Sequence, residues 1–252
     1  ASDVYKRQIM ENVAREPEIV DLATFLNNMG AHIRGAGTNE IRVQGVDSLK
    51  SMNVHTIIPD RIEAGTYLSF AAANGNGVLV KNVITEHLDP FLSKLEEMGV
   101  RMEIDEDEIY VPGGDVLSPV NIKTSPFPGF ATDLQQPITP LLMQARGSST
   151  IIDTLYPERT KHIPEMQRMG AKISSKDGII TVGHSTDLSG TVVEAGEIRA
   201  GVSLVGLALM AKGTTVINKA DNILRGYDRI VEKFRGLSVD LEVINESESL
   251  NH

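Results

Sequence analysis

Two helical patterns and short alternating runs follow one another along the whole chain. The first pattern is amphipathic, as in residues 88–98, where apolar residues recur at helical spacing and a glycine follows the last turn. The second is apolar on nearly every face, which is typical of buried helices, and it occupies residues 63–73, 137–145 and 200–211. Together with the alternating runs, these helices predict a mixed α/β fold.

The two helical patterns return at a regular interval. Four dipeptides end amphipathic stretches about 70 residues apart: Met29-Gly30, Met98-Gly99, Met169-Gly170 and Leu237-Ser238. Alternating apolar runs after them predict hairpins, and each buried helix leads through a glycine into a β-branched run. The predicted unit is therefore strand, buried helix, strand, amphipathic helix, strand, strand, repeated three times. A wheel of three such units, with the apolar helices at its axis and the sheets outside, buries those helices most simply.

The loop over residues 125–135 reads Ser-Pro-Phe-Pro-Gly-Phe-Ala-Thr-Asp-Leu-Gln and is stiff and rich in turn formers. Its two prolines fix φ, and Thr132 with Gln135 three residues later has the pattern of a capping box. The loop therefore predicts a fixed position for Asp133 at the start of a buried helix.

Superposing the three apolar helices brings polar residues to equivalent places. Arg61, Asp133 and Glu197 share one position, and Glu63, Gln135 and Arg199 share the position two residues later. Helix capping is the ordinary explanation for such residues. Arg199 in a first helical turn, however, opposes the helix dipole, and an anionic ligand explains it better. Beside such groups, Asp133 is a candidate general base for a hydroxyl.

Two further arginines precede amphipathic helices at matching positions of successive repeats. These are Arg159 and Arg225, which we predict on the same rim as Arg199. Solvated surface arginines are the alternative interpretation. Guanidinium groups in a cleft would suit a phosphate or a carboxylate.

Composition restricts the classes of partner. The 252 residues are 41% hydrophobic and 23% charged, enough for one sizeable α/β core. The formal net charge of -10 argues against a nucleic-acid or anionic-membrane surface and favours small-molecule partners. No apolar run approaches the ~18 residues that span a bilayer, so we expect a cytoplasmic protein. Without cysteine there is no disulfide and no thiolate, and the six histidines show no paired metal spacing.

Four segments carry a resemblance to a known family. They are residues 11–21 (Glu-Asn-Val-Ala-Arg-Glu-Pro-Glu-Ile-Val-Asp), 59–66 (Pro-Asp-Arg-Ile-Glu-Ala-Gly-Thr), the loop ending in Asp133, and 225–229 (Arg-Gly-Tyr-Asp-Arg). Over residues 9–243 the chain resembles the UDP-N-acetylglucosamine enolpyruvyl transferases. The family fold is an inside-out α/β barrel of two domains, each with three βαβαββ units, which agrees with the repeat.

The resemblance implies an organisation for the chain. Residues 1–8 fit neither the repeat nor the family and are interpreted as an extraneous extension. Residues 9–21 would end a missing first domain and form the hinge, to which Arg15, Glu16 and Asp21 are assigned. Residues 22–246 would be the second domain, with repeats at 22–116, 117–190 and 191–246, and 247–252 a tail.

The resemblance also implies substrate contacts for six residues: Asp133, Leu155, Arg159, Glu197, Arg199 and Arg225. Asp133 would contact the sugar hydroxyl of UDP-N-acetylglucosamine and assist its deprotonation, and Leu155 would line the nucleotide-sugar site. Arg199 and Arg225 would hold the phosphate and carboxylate of phosphoenolpyruvate, with Arg159 as a third cleft arginine. Glu197 stands where the family usually has aspartate.

The implied reaction transfers the enolpyruvyl group to the sugar hydroxyl and releases phosphate, without a metal or organic cofactor. The preceding domain, with a lysine-asparagine pair and a mobile loop, is expected to complete the site, so the chain alone is predicted to be inactive. Two alternatives stay open: a 5-enolpyruvylshikimate-3-phosphate synthase-like transferase, and a non-catalytic binding paralogue. The loop ending in Asp133 and residues 15–21 favour the nucleotide-sugar enzyme over the first of these.

Overall fold

The computed structural model describes residues 7–51 and 54–244. The predicted tail at 247–252 and residues 1–6 of the predicted extension lie outside this part of the chain.

The N-terminal segment forms a small sheet covered by one helix. Its elements are β1 (Arg7–Glu11), α1 (Pro17–Asn28), β2 (His32–Arg34) and β3 (Glu40–Gln44), and the antiparallel strand order is β1-β3-β2. Strand β1 thus includes Arg7 and Gln8, which lie inside the predicted extension. The boundary predicted between residues 21 and 22 lies within α1, and the sheet joins residues from both sides of it.

The next segment contains α2 (Arg61–Asn74), β4 (Val78–Lys81), α3 (Asp89–Met98), β5 (Glu103–Ile104) and β6 (Glu108–Val111), with strand order β4-β6-β5. The side chain of Asp60 starts α2, because its Oδ1 accepts hydrogen bonds from the amides of Ile62 and Glu63 at 2.8 and 3.0 Å. Gly75 ends the helix with a left-handed φ of 71°. Most apolar residues of α2 are buried, as the pattern predicts.

The middle segment has the predicted order of elements in full. It contains β7 (Asn121–Lys123), α4 (Thr139–Leu142), β8 (Ser148–Ile152), α5 (His162–Arg168), β9 (Ile173–Lys176) and β10 (Ile179–Gly183). The strand order is β7-β8-β10-β9, with β7 parallel to β8 and the other pairs antiparallel.

The last segment contains β11 (Val192–Glu194), α6 (Ile198–Ala208), β12 (Val216–Asn218), α7 (Asp221–Leu224) and α8 (Ile230–Gly236). Strands β11 and β12 are parallel. Through residue 244, where the description of the structure stops, no hairpin follows α8.

The second apolar helix differs from its prediction. Only Thr139–Leu142 of the predicted 137–145 is α-helical, and a 3-10 turn over Thr132–Leu134 precedes it. Pro137 and Pro140 donate no amide hydrogen, which explains why a longer helix does not form here. The predicted capping box is wrong: Ala131 caps the turn, and the hydroxyl of Thr132 donates to Asp153 instead. Residues 134–143 are nevertheless buried, as the apolar composition predicts.

The apolar helices pack together at the centre of the fold, where α4 contacts both α2 and α6. Two helical glycines allow the close approach. A Cβ at Gly65 of α2 would lie 2.8 Å from Leu134, and a Cβ at Gly206 of α6 would overlap the ring of Phe70 in α2. The core that holds the site in place therefore depends on the absence of side chains at these two positions.

We expect the Gly206→Ala variant to lower the free energy of unfolding by about 1–3 kcal/mol, because the added methyl group forces the Phe70 ring or the helix backbone to move. Urea denaturation measures the change. Gly236→Ala is the matched control, because nothing lies within 4 Å of a Cβ at that helical position. Equal stability of the two variants would contradict this account of helix packing.

Candidate active site

The carboxylate of Asp133 lies between two arginines from separate parts of the chain. Its Oδ1 accepts a hydrogen bond from Nη1 of Arg159 at 2.7 Å, and its Oδ2 lies 3.4 Å from Nη2 of Arg199. The carboxylate is 38% exposed, whereas the arginine side chains are 21% and 19% exposed. The Asp133 carboxylate is thus more exposed to solvent than the two guanidinium groups that contact it.

A buried aspartate fixes the loop that carries Asp133. Asp153, directly after β8, is 4% exposed, and its Oδ1 accepts from the hydroxyl of Thr124 at 2.8 Å and from the amides of Leu155 and Tyr156 at 3.0 and 2.9 Å. Its Oδ2 accepts from the hydroxyl of Thr132 at 2.6 Å. One carboxylate thus ties the Asp133 turn to the Leu155 turn.

Arg159 is oriented by both of these turns. Its guanidinium lies 4.7 Å from the ring centre of Tyr156 and also donates to the hydroxyl oxygen of Thr132 at 3.1 Å. Stacking on the tyrosine and two hydrogen bonds fix the plane of the guanidinium. Its remaining donors are therefore available in a defined direction.

Arg199 is in the first turn of α6, as predicted, and lies over the ring of Tyr227 at 5.3 Å. The hydroxyl of Tyr227 is 3.0 Å from that of Thr66 in α2, and burial raises the pKa of this tyrosine. Burial alone would lower the pKa of Arg199, but the Tyr227 phenol and the Asp133 carboxylate outweigh it, so its pKa is raised. Arg199 therefore stays a cation, and its buried Nη1 has no hydrogen-bond partner among the described residues.

Glu197 precedes α6 and lies on the other side of the same helix start. Its Oε1 accepts from Nε2 of Gln136 at 3.0 Å, and this Nε2 is also 3.2 Å from Nδ1 of His162. Gln136 and His162 are fully buried. Burial lowers the pKa of His162 to about 4, so the imidazole is neutral near pH 7.

The remaining predicted contacts, Leu155 and Arg225, are on the surface near these groups. Leu155 is 38% exposed in the turn held by Asp153. Arg225 follows α7, is exposed, and forms no ion pair with the described residues. The next residue, Gly226, packs so closely on Ile198 that a Cβ would overlap it, which places the Arg225 segment against the start of α6.

The predicted equivalence of Arg61 with Asp133 does not extend to their contacts. Arg61 donates to Glu18 of α1 from Nη2 at 3.0 Å and from Nε at 3.3 Å, and its guanidinium lies 5.7 Å from the Phe127 ring centre. It therefore joins the N-terminal segment to the proline loop rather than facing Asp133 directly.

Two of the three predicted hinge residues line a cleft of about 340 Å³ between α1 and the proline loop. Arg15 and Asp21 line this cleft with Ile58 and Phe127, and Asp21 also pairs with His55 at 3.2 Å. Glu16 caps the start of α1 by position, and its Oε2 is buried without a partner in the described chain. The hinge role of Arg15, Glu16 and Asp21 stays a prediction.

Sequence reasoning missed Asp153, Gln136 and Tyr227. A signal existed for Asp153, because an aspartate followed by turn residues directly after a strand is typical of an Asx-turn. Gln136 contacts His162, 26 residues away in the chain, and Tyr227 contacts Thr66, 161 residues away. No local sequence pattern reveals contacts over such separations.

The described residues contain neither a cluster of metal-ligating side chains nor a membrane-spanning helix. Among residues 7–51 and 54–244, no three or more histidine, aspartate or glutamate side chains are grouped as a metal ion would need. None of the helices in those ranges combines the length and the apolar character needed to cross a bilayer.

Comparison with known proteins decides the family. The model of the EPSP synthase (3-phosphoshikimate 1-carboxyvinyltransferase) family matches residues 3–234. The chain belongs to this family. Its fold is the enolpyruvyl transferase fold: the crystal structure of the enolpyruvyl transferase NikO from Streptomyces tendae superposes with a TM-score of 0.84 at 25% identity, over 93% of this chain and 56% of that one.

Some relatives are more similar to this chain than NikO is, and their name differs from that of the family model. A UDP-N-acetylglucosamine 1-carboxyvinyltransferase 2 from Lactiplantibacillus plantarum is 59% identical over 95% of this chain and 56% of its own length. A protein of the same name from Streptococcus mutans is 56% identical over 98% of this chain and 58% of its own length. The chain therefore spans a little over half the length of these relatives.

We predict that the free energy of unfolding falls as the pH is lowered from 6.5 to 4, partly because of His162. In the unfolded chain the His162 imidazole is protonated below its ordinary pKa of 6.5, whereas in the folded protein burial lowers this pKa to about 4. Between these two pH values the unfolded chain binds more protons, so lowering the pH favours unfolding. The contribution is about 3 kcal/mol, fully present above pH 6.5 and lost towards pH 4. Chemical denaturation of His162→Asn should show a shallower fall than the parent, and parallel curves would contradict the prediction.

Proposed function

We propose that this chain supplies one wall of the active site of a transferase that joins the enolpyruvyl group of phosphoenolpyruvate to the 3'-hydroxyl of UDP-N-acetylglucosamine. The observation that carries the proposal is the Asp133 carboxylate held between Arg159 and Arg199. It pairs a proton acceptor with cations suited to a phosphate and a carboxylate, which are the two requirements of this chemistry.

The reaction has two balanced steps. Asp133 accepts the proton of the sugar hydroxyl while the sugar oxygen bonds to C2 of phosphoenolpyruvate, and C3 takes a proton from an acid that the upstream half of the protein supplies, which gives a tetrahedral ketal. The conjugate base of that acid then removes a C3 proton, phosphate leaves C2, and the C2–C3 double bond is restored in the product. Arg159, Arg199 and Arg225 stabilise the carboxylate and the departing phosphate throughout.

The ion pairs of Asp133 suggest how the base becomes available. Without ligand, its two oxygens are shared with Arg159 and Arg199. A phosphate dianion competes for these guanidinium groups with more charge and more acceptor oxygens. Binding of phosphoenolpyruvate therefore loosens the pairs and lets Asp133 turn to the sugar hydroxyl, so donor binding and base activation are coupled.

The acceptor follows from the relatives rather than from the family name. The family model is named for the shikimate enzyme, but the relatives at 56–59% identity bear the name of the UDP-N-acetylglucosamine enzyme. We therefore favour the nucleotide sugar, with Leu155 lining its site, and a role in peptidoglycan synthesis, cell shape and cell division. The inside-out barrel, a hinge at Arg15, Glu16 and Asp21, a contribution from a further N-terminal domain and a cytoplasmic location belong to the same proposal.

The test joins the chain to the upstream half of a relative and measures phosphate release. We expect release with phosphoenolpyruvate and UDP-N-acetylglucosamine, none with shikimate 3-phosphate as the acceptor, and none from the 252-residue chain alone. Release only with shikimate 3-phosphate would establish the sister activity. No release with either acceptor, from a folded protein that binds neither, would favour a non-catalytic role.

Asp133→Asn in the joined protein should lower kcat about 10²- to 10⁴-fold, because an amide cannot accept the hydroxyl proton. Steady-state phosphate release measures it. Asp105→Asn, at an exposed turn between β5 and β6, is the matched control and should retain parent activity. A kcat for Asp133→Asn within twofold of the parent would remove Asp133 from the mechanism.

A further inference from the structure

Glu197 is a residue of the candidate site whose carboxylate contacts a fully buried side chain, that of Gln136. The residue has an extended backbone, with φ -156° and ψ 169°, directly before α6. Its carboxylate reaches across to the α4 segment, where Oε1 accepts from Gln136 at 3.0 Å. The Glu197 carboxylate is therefore hydrogen-bonded to Gln136, which follows Asp133 by three positions.

The amide of Gln136 has one favourable orientation. Its Nε2 carries two hydrogens, directed at Oε1 of Glu197 and at Nδ1 of His162, 3.2 Å away. Rotating the amide by half a turn would place its oxygen against a carboxylate oxygen, which is repulsive in a buried setting. The carboxylate thus decides which way the amide points.

His162 accepts this second hydrogen. Because an amide nitrogen only donates, Nδ1 must carry the lone pair and Nε2 the proton, which makes the imidazole neutral. The ring is fully buried, and its Nε2 has no partner in the described part of the chain. A buried histidine and glutamine therefore use their matched donor and acceptor to orient one partly exposed carboxylate.

Such an orientation matters more for glutamate than for aspartate. Glutamate has an additional rotatable bond, so its carboxylate explores more positions unless another group restrains it. The bond to Gln136 supplies that restraint and leaves Oε2 of Glu197 free of hydrogen bonds to the residues that the structure describes. One oxygen is fixed, and the other is available to a ligand.

We propose that Gln136 is a positioning residue for Glu197, with His162 accepting the second hydrogen of the Gln136 amide. This inference rests on the proposed function and adds to it that Glu197 contacts substrate, as the family resemblance implies. It adds a specific requirement to that function: a chain with glutamate at position 197 needs a donor at position 136.

The test is a double-mutant cycle in the joined protein, with phosphate release as the readout. Gln136→Met keeps the length of the side chain but removes its donor, and we expect kcat/KM to fall about tenfold, the effect of losing a hydrogen bond to a charged group. In a Glu197→Ala background the same change should alter kcat/KM by less than twofold, because the group it positions is gone. Gln144→Met, at a partly buried glutamine that contacts Met210, is the matched control and should retain activity.

Equal losses in both backgrounds would show a purely structural role and overturn the proposal, as would parent activity in a folded Gln136→Met protein. If Gln136→Met does not fold, Gln136→Asn, whose amide is too short to reach Glu197, takes its place in the same cycle.

A second measurement separates this proposal from the proposed function. NMR of the joined protein labelled with [15N]glutamine should show a Gln136 side-chain amide whose protons exchange slowly and shift when Glu197 is replaced by alanine. Absence of phosphate release by the parent would count against the proposed function, while an amide insensitive to Glu197→Ala would overturn the contact itself.

Discussion

The carboxylate of Asp133, shared between Arg159 and Arg199, is the interaction on which the rest of the site depends. It joins the proline loop, the turn after β8 and the start of α6, which are three separate parts of the chain. Two cations this close together would repel each other without the anion between them. The carboxylate therefore makes the arginine pair possible, and an anionic ligand that takes its place inherits a preformed cation site.

The supporting structure keeps this arrangement in place from below. Asp153 connects the Asp133 turn to the Leu155 turn through hydrogen bonds. The hydrogen bond between the hydroxyls of Thr66 and Tyr227 positions the Tyr227 ring against the guanidinium of Arg199. These groups sit on helices that pack closely because Gly65 and Gly206 have no side chain. The geometry of the site therefore depends on core packing, because a shift between α2 and α6 would also move Tyr227 relative to Arg199.

Periodicity predicted the parts of the fold that depend on local pattern, and missed those that depend on distant contacts. The buried helices α2 and α6 and the hairpins β5–β6 and β9–β10 follow from apolar spacing. Pro137 and Pro140 favour a break in the second apolar helix, but the apolar composition of residues 137–145 predicts one continuous helix. Repeat equivalence suggested that Asp133 and Arg199 are close. It failed for Arg61, because its ion pair with Glu18 lies outside the repeat.

The central claim is that Asp133 exchanges its arginines for a substrate hydroxyl. A crystal structure of the joined protein with UDP-N-acetylglucosamine and a non-reactive phosphoenolpyruvate analogue tests it most directly. The account predicts an Asp133 oxygen within about 2.6–3.2 Å of the sugar 3'-hydroxyl, with the analogue's anionic groups on Arg199 and Arg159. An Asp133 carboxylate still paired with both arginines, and out of hydrogen-bond reach of the sugar, would contradict it.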